Sequence, residues 1–218
     1  GDPYDMKPLT EAGVYRPDIG GTTTCVVADR WGNVVAATPS ANVFRDAPIG
    51  GTTGVSYGNR LRSLNTTPGH PNCIQPGKRP RITLTPTLVL KEGRPILAIS
   101  VAGGDRQDQA TLNLLLDFIE FDMRPETAVT APRFVTFHHQ DSFDPNPDRR
   151  RTFGEAGSLT ISDSVSEGVR DELARRGHRV ETKAPPIATP VMLYLDRDSG
   201  TFHAAGDPAA RRHAAGLE

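Results

Sequence analysis

Two short runs bring glycines and hydroxyls together in patterns suited to acyl chemistry. In Gly20-Gly21-Thr22-Thr23-Thr24-Cys25, two conformationally free glycines precede three hydroxyls at the mouth of an apolar stretch. In Ala102-Gly103-Gly104-Asp105, adjacent glycines lie between an apolar run and a helical pattern. Amides at a helix N-terminus are the donors that an oxyanion needs. Read by composition alone, each run is also ordinary structure, because threonine suits strands and paired glycines permit a tight turn. Other chemistries lack their signatures. His70, His138, His139, His178, His203 and His213 show no HExxH or Cys/His zinc spacing, and GxSxG, GxGxxG and Walker A patterns are missing. The expectation is therefore no metal site and no nucleotide cofactor.

Elements able to position these runs follow from periodicity and turn residues. Thr22–Ala28 and Val34–Thr38 read as a hairpin around Asp29-Arg30-Trp31-Gly32-Asn33. Residues 45–81 carry many Gly, Pro, Asn and Arg and read as a long loop, of a kind that is usually functional or disordered. A second hairpin, Thr83–Leu90 with Ile96–Val101, turns at Lys91-Glu92-Gly93, and Pro86 marks an edge or a bulge. The pattern then predicts a helix from Gln107 to Phe121 with Leu112, Leu115, Leu116 and Ile119 on one face. Another helix runs from Val165 to Arg176 and stops at Gly177, and a last hairpin joins Val191–Leu195 to Thr201–Ala205. Strand pairs and helices in this order give an α+β layered fold.

Composition narrows the class of partner. The chain has 218 residues, a net charge of −1 and 36% apolar content, enough for a core. Its 21 glycines and 19 prolines point to many turns rather than disorder. A balanced charge argues against nucleic acid, which needs a concentrated basic field. No stretch approaches the roughly 18 apolar residues of a membrane span, and residues 1–21 contain no signal-peptide pattern, so the compartment stays open. Cys25 and Cys73 are too few for a disulfide scaffold, and Cys25, within an apolar run, reads as a small core residue.

Taken in order, several segments resemble the γ-glutamyltranspeptidase family, its small catalytic subunit together with the end of its large one. GGTTTCVVADRWGN at 20–33 is similar to that family's nucleophile strand and Asp-x-x-Gly-Asn turn, and KRPRITLTPTLVL at 78–90 to its Lys-Arg-Pro segment. SVAGGDRQDQ at 100–109 is similar to its double-glycine oxyanion loop. Ala131-Pro132-Arg133-Phe134, Gly206-Asp207-Pro208 and Gly1-Asp2-Pro3 resemble further family stretches. The resemblance implies an N-terminal-nucleophile hydrolase fold, a four-layer αββα sandwich. It implies residues 1–21 as the end of the large subunit, residues 22–218 as the small-subunit-like catalytic domain, and a large-subunit partner from the same precursor.

It further implies a Thr nucleophile at Thr22, released by autocleavage of the Gly21–Thr22 bond, with the freed amine as base. Thr23 and Thr24 are register alternatives, and the spacing to Gly32-Asn33 favours Thr22. Ser40 occupies the place of a second, supporting hydroxyl. Gly103 and Gly104 would hold the oxyanion, and Asn42 would contact the substrate. The pocket departs from the family pattern: Arg60 and Ser63 stand where the family has Gln and Asp, and Ile82-Thr83 where it has a Ser pair. An arginine there repels the α-ammonium of a γ-glutamyl group, so a small-molecule acyl amide lacking that amine, with a carboxylate for Arg60, fits better. Two alternatives stand beside the γ-glutamyltranspeptidase-like reading: a cephalosporin-acylase-like amidase, and a non-catalytic or unprocessed relative serving as a binding scaffold.

Overall fold

A computed structural model describes residues 22–40, 52, 60–142, 148, 151, 153–154 and 156–216. Strands β1 (Cys25–Ala28) and β2 (Val34–Ala37) pair antiparallel across the first expected turn. Asp29 builds that turn: its Oδ1 accepts the amides of Trp31 and Asn33, each at 2.9 Å, while Oδ2 accepts Asn33 Nδ2 at 2.7 Å. Those bonds, the Asn33 side chain foremost, hold the Asp29 carboxyl below its ordinary value. Gly32 adopts φ 87°, a left-handed conformation that glycine takes without steric cost.

The central sheet contains β3 (Thr87–Lys91), β4 (Arg94–Ala102), β8 (Thr189–Asp196) and β9 (Thr201–Gly206) in the order β3-β4-β8-β9, antiparallel throughout. Glu92 and Gly93 both have positive φ, as a two-residue hairpin turn requires. β3 begins at Thr87 rather than Thr83, directly after Pro86, which lacks an amide for the ladder. It lies at the sheet edge and is irregular between Val89 and Leu90, so both readings of Pro86 apply to this strand.

β4 and β8 are buried on both faces, and their alternation sorts side chains between two layers. Leu97, Ile99, Val101 and Met192 face Ala110 and Leu114 of helix α1 (Gln107–Ile119) and Ala128 of the short helix α2 (Pro125–Ala128). Ala98, Leu193 and Leu195 face Val26, Ala28, Val34 and Ala36 of the β1–β2 hairpin. Helices, four-stranded sheet and hairpin thus stack in that order. Each fully buried Leu, Ile or Met in these layers contributes about 1.5–3 kcal/mol.

Two expectations are corrected here. The buried face of α1 is Gln107, Ala110, Thr111 and Leu114, while Leu112, Leu116 and Ile119 are exposed. The helix leaves β4 through a tight glycine turn that sets its rotation, and the small Ala110 lets it approach the sheet. Cys25 is exposed rather than in the core, because Val26 and Ala28 take the inward positions of β1.

A three-stranded sheet was not anticipated: β5 (Phe134–Val135), β6 (Ser158–Ser162) and β7 (Arg179–Lys183), in that order. β6 and β7 are parallel, joined by the expected helix α3 (Glu167–Arg175), beyond whose end Gly177 turns the chain with φ 95°. The two sheets meet at a buried ion pair. Arg133 Nη1 lies 3.2 Å from Asp207 Oδ2, each side chain only 5% exposed. Arg133 also donates to the carbonyls of Ile187, Ala128 and Val129. Asp207 Oδ1 accepts the Ala209 amide at 2.9 Å. Removing one partner strands the other charge, so Asp207→Ala should cost about 3–5 kcal/mol in urea unfolding. Asp207→Leu combined with Arg133→Met should cost much less than the sum of the single losses.

Candidate active site

Thr22 stands three residues before β1, and Ser40 three residues after β2, so the hairpin brings them opposite each other. They form a β-bridge, reinforced by the Thr23 amide on the Pro39 carbonyl at 3.0 Å. Their hydroxyls are 2.7 Å apart, Thr22 Oγ1 to Ser40 Oγ. Arg60 adds a cation: its Nη2 donates to Ser40 Oγ, and its Nε to the Ser40 carbonyl at 3.4 Å. A guanidinium only donates, so Ser40 Oγ accepts from it and retains a proton of its own.

The hairpin is tied to the glycine loop by two buried hydroxyls. Ser100, on β4 and fully buried, donates to the Ala37 carbonyl at 2.8 Å, and Thr38 Oγ1 lies 2.8 Å from Ser100 Oγ. Ser100 has one proton, so Thr38 donates to it. Gly103 and Gly104 come three and four residues beyond Ser100, so the Thr38–Ser100 contact ties the end of β4 that leads into them to the end of the hairpin that carries Ser40. Their conformations favour glycine: φ is 156° at Gly103 and 62° at Gly104. A Cβ on Gly103 would also lie 3.1 Å from Ala188 Cβ.

Around this end, residues 60–81 fold into a hydrogen-bonded loop rather than an open lining. Ser63 is buried, its hydroxyl shared between the carbonyls of Arg60 at 2.7 Å and Arg81 at 2.8 Å. Ser63 therefore braces the turn that presents Arg60. Asn72 links the Ser63 carbonyl to the Arg81 amide, and His70 Nδ1 accepts from the Asn72 amide at 2.9 Å. Arg81 Nη2 approaches Asp105 Oδ1 at 3.7 Å, and Asp105 in turn accepts the Ser142 amide at 2.8 Å. Thr83 is buried beside Gln107. Of the expected site residues, Thr22, Ser40 and Arg60 are thus joined directly, whereas Ser63 and Thr83 point into the protein. Gly21 and Asn42 lie outside the described residues.

Sequence reasoning passed over Thr38, Ser100, Asp105 and Gln107. Ser100 did carry a signal, as the one hydroxyl inside the apolar run Ile96–Val101. Among the described residues no group of three or more His, Cys, Asp or Glu is arranged to hold a metal ion.

The whole arrangement sits in a chain that the Gamma-glutamyltranspeptidase family model matches over residues 3–217. The glutathione hydrolase proenzyme of Bacillus subtilis (strain 168) is 30% identical over 199 residues, 91% of this chain and 31% of that protein. The acylase ACY 1 proenzyme of Pseudomonas sp. (strain SE83) is 31% identical over 196 residues, 89% of this chain and 32% of that protein. The chain thus spans about a third of the length of these curated relatives. Among solved structures, the T380A mutant of Helicobacter pylori gamma-glutamyltranspeptidase superposes with a TM-score of 0.66 at 28% identity, over 86% of this chain and 99% of that one.

The hydroxyl pair between the layers makes a direct prediction. Ser100→Ala should cost about 1–3 kcal/mol, because the Ala37 carbonyl and the Thr38 hydroxyl both lose their partner. In a urea-unfolding cycle, Thr38→Val with Ser100→Ala should cost less than the two single changes added together.

Proposed function

The chain belongs to the gamma-glutamyltranspeptidase family, and from that premise we propose that it is the catalytic portion of an amide hydrolase or acyl transferase whose nucleophile is Thr22. The observation that carries this reading is the 2.7 Å contact between the Thr22 and Ser40 hydroxyls, with Arg60 on the far side of Ser40. A threonine hydroxyl is a weak nucleophile until a base stands beside it, and an α-amine with pKa near 7.7–8.0 is suited to that task at neutral pH. Cleavage of the Gly21–Thr22 bond would supply it. Thr22 Oγ attacks the Gly21 carbonyl, the acyl group moves from nitrogen to oxygen, and water hydrolyses the ester to leave a free amine on Thr22.

In turnover the same oxygen attacks the substrate's amide carbonyl, and its proton passes to the amine. The tetrahedral oxyanion forms within reach of the Gly103–Gly104 backbone, where a single well-placed donor is worth about 2.7–4 kcal/mol. Collapse expels the amine product, which takes the proton, and leaves an ester on Thr22. Water or a second amine then releases the acyl group. The glutathione hydrolase and acylase relatives support a reaction of this class, and the longer relatives support a partner segment from the same precursor.

The proposed acyl group carries no α-amine. A guanidinium bonded to Ser40 places positive charge beside the nucleophile, so a γ-glutamyl ammonium meets a like charge on that side chain. A carboxylated acyl chain meets attraction instead.

Intact-mass analysis of the full gene product should reveal a fragment beginning at Thr22, and Thr22→Ala should remain a single chain. An uncut chain that binds acids without turnover would establish the binding-scaffold reading in place of the enzyme. For the acyl preference, glutaryl-p-nitroanilide should exceed γ-glutamyl-p-nitroanilide in kcat/KM by about tenfold or more, equivalent to about 1.4 kcal/mol. Arg60→Gln should narrow that ratio. A ratio favouring the γ-glutamyl substrate would refute the preference while leaving the nucleophile in place.

A further inference from the structure

Gln107 opens helix α1 and is fully buried, an unusual place for an uncharged amide surrounded by backbone. With its amide oriented to match its neighbours, the nitrogen donates to the Val101 carbonyl at 2.8 Å and the Thr83 carbonyl at 3.2 Å. The oxygen accepts from Thr83 Oγ1 at 3.3 Å and from the Gly104 amide at 3.2 Å. One side chain therefore meets the end of β4, the second glycine of the loop and the Thr83 segment. All four positions of the primary amide are used, so its orientation is determined by the network rather than by space alone.

We propose that Gln107 is a positioning residue that holds the Gly104 peptide in register with the Thr83 segment, setting the direction in which the glycine loop presents its donors. This rests on the reading that Gly103 and Gly104 stabilise the oxyanion. At 3.2 Å the Gly104 amide is only loosely donated to a neutral acceptor. An oxyanion is a stronger acceptor and competes for that hydrogen as charge develops. Gln107 then acts as a placeholder: it satisfies the amide before charge forms and keeps the peptide plane from rotating away. An apolar residue of the same length would take this partner from the half-buried Gly104 amide and from the carbonyl of buried Val101, and leave the loop freer to reorient.

The test uses the full-length gene product with Gln107→Met and Gln107→Glu, read by steady-state kinetics on an acyl-p-nitroanilide, by counting acylated sites, and by hydrogen exchange of the peptide spanning residues 102–107. Gln107→Met should accelerate exchange at Gly104 and lower kcat about tenfold to a hundredfold, with KM within about threefold and the acylated-site count unchanged. Gln107→Glu should recover kcat as pH falls, because only the protonated carboxyl both accepts from Gly104 and donates to Val101, and burial favours that form. The parent should lack this pH dependence. Unchanged exchange at Gly104, or a folded Gln107→Met with kcat within twofold of the parent, would overturn the proposal. Should Gln107→Met fail to fold, the pH profile of Gln107→Glu decides alone: a parent-like profile overturns it. A parent that exchanges as expected yet forms no acyl-enzyme would instead overturn the reading of the site and leave the hold on Gly104 intact.

Discussion

The contact between Thr38, Ser100 and the Ala37 carbonyl is the constraint on which the rest of the site depends. The hairpin packs on the central sheet through Val26, Ala28, Val34 and Ala36 against Ala98, Leu193 and Leu195, and such small, smooth side chains resist sliding only weakly. Hydrophobic burial is non-directional and rewards any register that hides the same area. A hydroxyl that must donate to one carbonyl and accept from one hydroxyl is satisfied in one register alone. Sliding the hairpin by a residue would leave three polar groups unpaired in an apolar interface, a penalty of several kcal/mol. Through that lock, the end of the hairpin that carries Thr22 and Ser40 is tied to the strand that leads into the glycine loop.

A similar division of labour holds at the opposite side of the central sheet. Leucines, isoleucine and alanines between the sheet and α1 supply adhesion, while Arg133 and Asp207 determine how the β5–β7 sheet meets the end of β9. The guanidinium reaches three carbonyls besides the carboxylate, and these bonds compensate for burying its charge. Asp105 plays a lesser version of this part at the site itself, gathering Arg81 and Ser142 around the glycine loop. Polar groups specify where elements meet, and apolar groups keep them together.

How much of this was legible in the sequence follows the same line. Local devices were readable: the Asp29 turn, the Lys91-Glu92-Gly93 hairpin, the Gly177 helix stop and the two-glycine exit from β4 each depend on neighbouring residues. The pairing of β4 with β8 was not, because about ninety residues separate them and no local rule joins their hairpins. β5 is too short for periodicity, and β7, Arg-Val-Glu-Thr-Lys, is mostly exposed and polar. The face of α1 was misjudged because apolar residues lie on both of its sides, and only the glycine turn decides which side meets the sheet. At the candidate site, Thr22, Ser40 and Arg60 are named by resemblance to a family, and the structure brings their side chains together. Gln107 escaped notice because a lone glutamine at a helix start reads as surface, and its burial comes from contacts with residues distant in the chain.

Arg60 changes the proton inventory of the site in a way that the neutral amide of a glutamine would not. A glutamine side chain both donates and accepts, so it leaves the sense of a neighbouring hydroxyl open. A guanidinium cannot accept, and with Arg60 on Ser40 the serine oxygen receives a hydrogen from that side. Ser40 still has a proton to give, and in the proposed reaction it gives it to the Thr22 oxygen, 2.7 Å away. In the proposed reaction this leaves the Thr22 proton to point toward the amine that must remove it, and Ser40 donates to the oxygen as negative charge grows there. On that proposal, the positive charge that meets a substrate ammonium as a like charge also lowers the cost of forming the nucleophile. The proposed selection of an acyl group without an amine and the proposed activation of the threonine rest on one side chain, so a change at Arg60 should alter substrate preference and nucleophile strength together.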